Sequence, residues 1–280
     1  MYTLAIALTK GGTGKTTTAA NLAAGLAGLS LGRRILLVDA DPQNQLAGSL
    51  GAAQDSPGLS DVLAASEDDR AQSARAALLP DVRPGLDLCP AGALLATESS
   101  RLGADPAAGL LAVGDALEAL ADAVAGEGLP PLVIVDVPPG WGPLALGVLA
   151  ASDAVLAPVS LQPLAMQALG TFMRHVEAVQ RTRQRFGGRK LPLLSFIVPT
   201  MFDARPIAHT QVLDAVRAAA DSIDRGDGHS PVVAEHIPHS GRGQEAAALG
   251  RTIAEHARPS HPSAQAYDAL ARLVADSVTV

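Results

Sequence analysis

The stretch "LTKGGTGKTTTAANLA", residues 8–23, decides the fold. It follows a short apolar run and leads into an alanine-rich amphipathic segment, so the predicted order is strand, glycine-rich loop, helix. Gly11, Gly12 and Gly14 allow the backbone to curl so that consecutive N–H groups point inward. The helix that begins near Lys15 adds the positive end of its dipole. Together these features predict a phosphate-binding P-loop.

The loop departs from the common pattern G-x-x-x-x-G-K-[ST] at one position. The first glycine would stand at position 9, which is Thr9, and a second lysine, Lys10, follows it. Lys15 is expected to reach the β- and γ-phosphates of a nucleotide, and the Thr16 hydroxyl is expected to bind Mg²⁺. The predicted nucleotide contacts are Gly11, Gly12, Thr13, Gly14, Lys15, Thr16 and Thr17. A glycine-rich turn that binds nothing would not need the strand, the Lys-Thr pair and the helix in this register.

Two further apolar runs end in aspartates. "RRILLVDADPQNQ", residues 33–45, contains Asp39 and Asp41, and "PPLVIVDVPPGWG", residues 130–142, contains Asp136. Ligands of open α/β sheets lie outside the carboxyl ends of strands, so these carboxylates are predicted near the P-loop. Asp136 fits a Walker-B aspartate at the Mg²⁺ site, and the other two could orient water or hold the metal's water shell. For Asp41 the alternative is a solvated Asp-Pro turn. The Pro-Pro-Gly after the second run fits a stiff switch loop.

Composition narrows the classes of function. The chain has 280 residues, of which 48% are apolar, enough for a large core. Aromatic residues make up 2% and the formal net charge is −7, which argues against a base-stacking or generally basic nucleic-acid binder but allows a local basic patch. The single cysteine, Cys89, excludes a disulfide framework within one chain and suits a reducing cytoplasm. Neither a signal peptide nor an uncharged 18-residue apolar run is present, so we expect a cytoplasmic protein.

Short apolar runs alternate with longer amphipathic segments along the chain. The predicted strands are Tyr2–Leu8, Arg34–Asp39, Leu86–Pro90, Leu132–Val137, Ala154–Val159, Leu193–Val198 and Val232–Ile237. The predicted helices are Gly14–Leu29, Ala107–Ala125, Pro163–Phe186, Arg205–Ala220 and Ser263–Asp276. Continuous Val/Ile/Leu/Ala runs are typical of strands buried on both faces of a parallel sheet. We predict one α/β domain over residues 1–280, a doubly wound, mostly parallel sheet with helices on both faces.

Five segments carry a resemblance to a known family. They are "KGGTGKTT" (10–17), "LLVDADPQ" (36–43), "VIVDVPPGWG" (133–142), "PTMFDAR" (199–205) and "SAQAYDALARLV" (263–274). In this order they resemble the ParA/Soj branch of the deviant Walker A ATPases, P-loop proteins of DNA partition that are related to MinD. The resemblance runs from residue 2 to about residue 275 and implies Mg²⁺ and ATP as ligands, with slow hydrolysis to ADP and phosphate.

The resemblance implies a role for the second lysine. In this family two ATP-bound monomers form a face-to-face homodimer, and the lysine that matches Lys10 reaches the partner's phosphates. A cation supplied in this way would offset the charge of sandwiched triphosphates; the alternative for Lys10 is a solvent-facing side chain. Asp41 matches the water-positioning aspartate, Asp136 the Walker-B aspartate and Asp39 a second-shell partner of the metal. Residues 44–47, "NQLA", depart from the family's usual Gly-Asn-Ala-Thr.

The resemblance also implies partners. ATP-bound dimers of the family bind double-stranded DNA nonspecifically on the nucleoid, and a ParB-like centromere-binding protein stimulates turnover. The DNA-contacting arginines match Arg205 and Arg242, whereas His239 stands where the family frequently has arginine. Residues 181–190, "RTRQRFGGRK", are an additional basic segment that could bind phosphate or complement a helix C-terminus. Since the sequence starts at its first strand, no preceding helix-turn-helix domain is expected.

Three other interpretations need consideration. A MinD-like ATPase that positions a membrane or protein cargo would use a basic amphipathic C-terminal helix. Residues 266–280, "AYDALARLVADSVTV", have one arginine and two aspartates, which is typical of a docked core helix, so no membrane binding is expected. A synthetase on the same scaffold would need a second substrate pocket, which the sequence does not reveal. The five histidines of residues 229–261 fit no short zinc pattern, and Trp141 is predicted to serve packing or a dimer contact.

Overall fold

A mostly parallel sheet runs through the part of the chain that the computed structural model describes, residues 1–126, 128–162, 164–185, 193–223 and 229–278. Its strands are β1 (Tyr2–Ile6), β2 (Ile35–Asp39), β3 (Leu79–Arg83), β4 (Leu86–Cys89), β5 (Leu132–Asp136), β6 (Ala154–Ser160), β7 (Leu193–Thr200) and β8 (Val232–Val233). They are ordered β3-β4-β2-β5-β1-β6-β7-β8. Only β3, among these strands, runs antiparallel to its neighbour.

Helices cover both faces of this sheet. They are α1 (Lys15–Gly28), α2 (Leu46–Ser49), α3 (Leu59–Ala64), α4 (Arg70–Ala76), α5 (Leu95–Ala104), α6 (Pro106–Val124), α7 (Pro143–Ala151), α8 (Ala165–Arg185), α9 (Ile207–Asp221), α10 (Arg242–Ala248), α11 (Ile253–His256) and α12 (Pro262–Val278). Helices α3 to α9 contribute to the core on one face, and α1, α2 and α10 to α12 contribute to the core on the other. The predicted doubly wound α/β fold is confirmed.

The central strands are apolar throughout because both of their faces are covered. In β2, Leu36 and Val38 join one core while Ile35 and Leu37 join the other. All five residues of β2 are fully buried, including the terminal Asp39. A continuous apolar run is the pattern expected for such a strand. The parallel arrangement brings the carboxyl ends of β1, β2 and β5 to one edge of the sheet.

The sequence-based assignment missed some elements and misplaced one. The edge strand β3 was not predicted because Pro80 and Asp81 interrupt its apolar alternation, as is common in edge strands. Helices α3 and α4 are too short to show helical periodicity. The predicted strand Val232–Ile237 was largely wrong, because β8 has only two residues. Pro199 in β7 has no N–H to donate, so the ladder between the two segments cannot continue regularly.

The last helix is docked on the helix of the P-loop. The apolar face of α12, including Tyr267, Leu270 and Val274, is buried in the same core as α1. Gly25 of α1 lies so close to α12 that a Cβ there would be 2.9 Å from the Ala271 Cβ. The predicted docked core helix is therefore confirmed. Among the described helices, none combines the length and the apolarity that crossing a membrane requires. That residues 1–280 form one domain stays a prediction.

Replacing Gly25 with alanine should loosen the contact between α1 and α12. We expect Gly25→Ala to lower the free energy of unfolding by about 1–2 kcal/mol, because overpacking forces one of the helices to shift. The matched control is Gly28→Ala in the same helix, where the added Cβ meets nothing within 4 Å. The free energy of unfolding of that variant should rise by about 0.5 kcal/mol. Urea denaturation of both variants measures the difference, and equal stabilities would contradict close packing at Gly25.

Candidate functional site

The loop between β1 and α1 is shaped by two left-handed glycines. Gly12 has φ +71° and Gly14 has φ +86°, a backbone region that residues with a Cβ rarely adopt. Helix α1 starts directly after Gly14, so its first N–H groups face the loop. The Thr13 carbonyl accepts a hydrogen bond of 2.9 Å from the Thr200 hydroxyl at the end of β7. The loop is thus tied to the end of β7, and the N–H groups of such a loop suit an anion.

Lys15 spans this loop from the helix side. Its side chain is largely buried, with 7% of the residue exposed, and its Nζ donates to the Lys10 carbonyl at 3.4 Å. Burial lowers the pKa of Lys15, while the charges of Asp136 and Asp41 act to raise it. The ammonium therefore lies inside the loop and within electrostatic reach of both carboxylates. This position matches the predicted contact with nucleotide phosphates.

Two buried carboxylates lie side by side next to the loop. Parallel register pairs Asp39 at the end of β2 with Asp136 at the end of β5. The Asp39 carboxylate accepts backbone N–H groups of Asp41 at 2.9 Å and Leu46 at 3.1 Å, so it holds the segment that leads into α2. Burial raises the pKa of Asp39 to about 6, against the effect of these two hydrogen bonds.

Asp136 is the less satisfied of the two. Both of its carboxylate oxygens are buried, and in the described part of the chain neither accepts a hydrogen bond of normal geometry; the Thr16 hydroxyl is near enough to act on the carboxylate but does not form one. Burial and then the Asp39 charge raise the pKa of Asp136 to about 8, while the Thr16 hydroxyl and the Lys15 ammonium oppose the rise. Orphaned oxygens in this position fit a hydrated divalent cation, which prefers carboxylate, hydroxyl and water ligands. The residues present therefore suit Mg²⁺ held by Asp136 and Thr16.

Asp41 lies at the mouth of the same loop. Its carboxylate accepts the Gln43 N–H at 3.0 Å, and its carbonyl accepts the Asn44 N–H at 2.9 Å, so it sits in a tight turn. The predicted Asp-Pro turn is present, and the Asp41 charge acts on Lys15. The functional role of the carboxylate stays a prediction. Asp41 is more exposed than Asp39, and a group that must meet water has to be accessible.

Lys10 has a different neighbour from Lys15. Its Nζ donates to the Gln162 Oε1 at 3.3 Å, in the segment that follows β6. The two lysines of the loop are therefore separated: one ammonium contacts the loop's own backbone, and the other contacts an adjoining segment at the surface. Gln162 and Thr200 were missed by sequence reasoning, since both contact the loop from distant segments.

The switch loop of residues 137–142 contacts both the P-loop and α8. The Gly140 N–H donates to the Thr9 carbonyl at 3.2 Å, which ties this loop to the P-loop. Trp141 stacks on His175 of α8, with ring centroids 3.9 Å apart, and on Phe172 at 5.6 Å. The predicted packing role of Trp141 is confirmed. The segment after Asp136 thus connects the P-loop with α8.

The two predicted DNA-contacting arginines lie on adjacent loops. A β-bridge pairs Phe202 with Pro238, and the His239 N–H donates to the Phe202 carbonyl at 2.7 Å. Arg205 follows the first of these residues, and Arg242 begins α10 just after the second. The structure therefore brings the two arginines to neighbouring loops beyond the ends of β7 and β8.

The remaining predicted groups do not add to this site. Of the basic segment 181–190, residues 186–190 and the side chains from 182 onward lie outside the described residues, and Arg181 forms an i,i+4 ion pair with Glu177. The histidines of residues 229–261 form no metal-binding group with other ligands in the described ranges. His256 instead contacts Glu245, and His236 packs on Phe202.

Comparison with known proteins identifies relatives over nearly the whole chain. The family model described as an AAA domain matches residues 1–186. The chromosome-partitioning ATPase Soj of Thermus thermophilus is 35% identical over 97% of this chain and 94% of its own length. The chromosome partitioning protein ParA of Caulobacter vibrioides is 36% identical over 89% of this chain and 85% of its own.

Solved structures give the same fold. A cobyrinic acid a,c-diamide synthase of Mycobacterium smegmatis, with a bound ATP analogue and magnesium, is 31% identical with a TM-score of 0.74. The match covers 100% of this chain and 96% of the synthase.

The buried state of Asp136 should make stability depend on pH in the absence of metal and nucleotide. Its folded-state pKa of about 8 lies above that of an exposed aspartate, so the native protein keeps a proton that the unfolded chain has lost. The free energy of unfolding should therefore fall by up to about 1.4 kcal/mol per pH unit as the pH rises toward 8, and then level off.

Urea denaturation between pH 6 and pH 9 in EDTA measures this fall. Asp136→Asn should flatten the profile, because the amide cannot ionise. The control Asp55→Asn removes an exposed carboxylate and should keep the wild-type slope. An Asp136→Asn profile as steep as that of the wild type would contradict the assignment of the buried proton.

Proposed function

The chain belongs to the ParA/Soj family of partition ATPases, and on that premise we propose that Mg²⁺ and ATP drive it into a homodimer that binds DNA nonspecifically. The observation that carries the proposal is that the two lysines of the P-loop have different surroundings. Lys15 and the carboxylates of Asp41 and Asp136 converge on the loop, whereas the Lys10 ammonium rests on Gln162. One lysine is available to the bound nucleotide and the other to a second copy.

Hydrolysis is proposed to use this chain's residues as follows. The loop N–H groups of residues 11–17 and the Lys15 ammonium hold the phosphates and oppose their charge. Asp136 and Thr16 would hold Mg²⁺, which would neutralise further charge on the phosphate oxygens. Asp39 keeps the segment of residues 41–46 in place through its two backbone hydrogen bonds. Asp41 orients the attacking water for in-line displacement, so its loss should arrest chemistry without removing the phosphate contacts.

Lys10 is proposed to act on the partner's nucleotide. Its contact with Gln162 is exposed and spans 3.3 Å, so little interaction is lost when it leaves. Two sandwiched triphosphates carry charge that a dry interface cannot screen, and a lysine from each copy offsets it. Dimerisation would then require ATP, because only the triphosphate provides the distal phosphate that the second lysine meets.

DNA is the proposed target of the dimer, and the loops of Arg205 and Arg242 are its proposed contact surface. A chain with a formal net charge of −7 gains little from one small basic patch, but a dimer doubles the patch. This makes DNA binding dependent on nucleotide. A ParB-like protein that stimulates hydrolysis, and a location on the nucleoid, follow as parts of the same proposal.

A synthetase is the second candidate, because the Mycobacterium smegmatis neighbour bears such a name at 31% identity. It would need a large substrate pocket beside the phosphates, where the cavity lined by Thr16 and Thr17 has only about 310 Å³. A cavity of about 940 Å³ is present, but it lies at the amino ends of β2, β4 and β5, lined by residues such as Gly28, Gly85 and Pro131. Five strand residues, about 16 Å, separate that edge from the P-loop edge. This cavity therefore does not favour phosphate chemistry on a second substrate. A MinD-like membrane role is disfavoured by the buried apolar face of α12.

Lys10→Ala should abolish ATP-dependent dimerisation while ATP binding persists. The variant loses the cation that the partner's phosphates require, but it keeps Lys15 in the loop. Light scattering after gel filtration measures the mass with ATP and Mg²⁺, and a fluorescent ATP analogue measures affinity. Lys15→Ala is the matched control and should lose ATP binding by at least about tenfold, since charged hydrogen bonds of this kind contribute about 1.5–3 kcal/mol. ATP-dependent dimers of Lys10→Ala would reject the role in trans.

Asp41→Ala should trap the ATP-bound form on DNA. We expect phosphate release to fall about 100-fold or more, because the water loses its positioning group. Co-sedimentation with linear DNA and with anionic liposomes, in ADP and in ATP, measures the target. The variant should pellet with DNA in ATP and with liposomes in neither nucleotide, and Asp55→Ala should behave as the wild type. Pelleting with liposomes alone would instead support the membrane-positioning alternative.

A further inference from the structure

Both proposed DNA-contacting arginines are already paired with carboxylates. We propose that Asp203 and Glu245 compete with nucleic-acid phosphate for Arg205 and Arg242, and so set how tightly this surface binds DNA. The inference rests on the DNA-binding function proposed above. The surface comprises residues 201–206 and 238–245, called the arginine loops here.

The first pair lies within a single turn. The Arg205 Nε donates to both carboxylate oxygens of Asp203, at 2.9 Å and 3.1 Å, and the Arg205 backbone N–H donates to one of them at 3.0 Å. The Asp203 N–H in turn donates to the His209 Nδ1 at 3.0 Å, which holds the turn against α9. The side chain of Arg205 is 89% exposed. Its guanidinium is therefore accessible to a phosphate, but its charge is offset by a carboxylate two residues away.

The second pair lies in the first turn of α10. The Arg242 guanidinium donates to the Glu245 carboxylate at 3.0 Å. His256 of α11 contacts the same carboxylate oxygen at 3.3 Å, so Glu245 is held from two sides. The pKa of Glu245 lies below its usual range because of His256 and Arg242, and the group is charged at neutral pH.

The position of Glu245 is further fixed through the helix of the P-loop. Asn21 of α1 accepts the Ile253 N–H at the start of α11 at 2.8 Å, and its amide donates to the Thr17 carbonyl at 2.8 Å. Helix α11, which carries His256, is therefore anchored one turn from the nucleotide loop. The histidine that contacts Glu245 is thus carried by an anchored helix, while the Glu245 side chain itself is 56% exposed and can be displaced.

Pairing with a carboxylate reduces the attraction of each arginine for a DNA phosphate. Each arginine with its carboxylate has almost no net charge, so a phosphate approaching it meets attraction and repulsion together. Exposed ion pairs are weak, and a polyanion can therefore displace the carboxylate, but with less affinity than an unpaired arginine would give. Each added cation that neutralises a phosphate steepens the slope of log K against log salt by about 0.9. Removing one carboxylate charge frees one arginine and should therefore steepen this slope by that amount.

The matched variants are Asp203→Asn, Glu245→Gln and Asp268→Asn. The control Asp268 also pairs with an exposed arginine, Arg272, at 3.1 Å, but it lies on α12 outside the arginine loops. All three substitutions raise the net charge by one and keep the side-chain shape. Thermal melting of each full-length variant verifies that it is folded. Fluorescence anisotropy with a random 60-base-pair duplex, in ATP and Mg²⁺ over a range of salt concentrations, measures affinity and slope.

We expect Asp203→Asn and Glu245→Gln each to bind DNA about three- to tenfold more tightly than the wild type, with a slope steeper by about 0.9 for each subunit that contacts the duplex. Asp268→Asn should stay within about twofold of the wild type. If the two loop variants bind no better than Asp268→Asn, the proposed competition by Asp203 and Glu245 is wrong. The proposed DNA-binding function still holds in that case, provided that the wild type binds DNA. If the wild type and every variant fail to bind DNA, the DNA target is wrong as well. Binding by the loop variants alone would support the competition in its strongest form.

Discussion

The structure depends on a pair of carboxylates that the parallel register forces together beneath the P-loop. Asp39 and Asp136 end neighbouring strands, both are buried, and only Asp39 has backbone donors to satisfy it. Asp136 therefore lacks the partners that a buried charged carboxylate needs, and without a cation its raised pKa keeps it protonated up to about pH 8. Lys15 favours the charged form, and a bound cation would favour it further, so the strand order that buries Asp136 also sets the conditions for metal binding.

Three contacts link the P-loop and α1 to segments that are distant in sequence. Thr200 holds the P-loop from β7, Gly140 attaches the switch loop to Thr9, and Asn21 connects α1 with α11. The P-loop therefore contacts β7 and the switch loop directly, and it is linked to α11 through Asn21 of α1.

The sequence predicted the features whose signal is local. The P-loop, the buried runs of β2 and β5, and the aspartates at their ends follow from composition and spacing, because glycine conformation and two-sided burial act within a few residues. The contacts of Lys10 with Gln162 and of Thr13 with Thr200 could not be predicted, since they join residues 152 and 187 positions apart. The pairing of both arginines with carboxylates was missed for another reason. Asp203 and Glu245 are close in sequence, but an exposed carboxylate near an arginine is too common to indicate a role.

The position of Trp141 in the switch loop makes the protein's intrinsic fluorescence sensitive to that loop. Trp141 is the single tryptophan of the chain, so nearly all of its indole emission arises from one residue five positions beyond Asp136. That indole lies against the imidazole of His175, and a stacked imidazole can quench an excited indole by accepting an electron or donating a proton. The intensity of the emission therefore reports the separation of the switch loop from α8. Intrinsic tryptophan fluorescence is therefore a label-free probe of the switch loop, which follows Asp136.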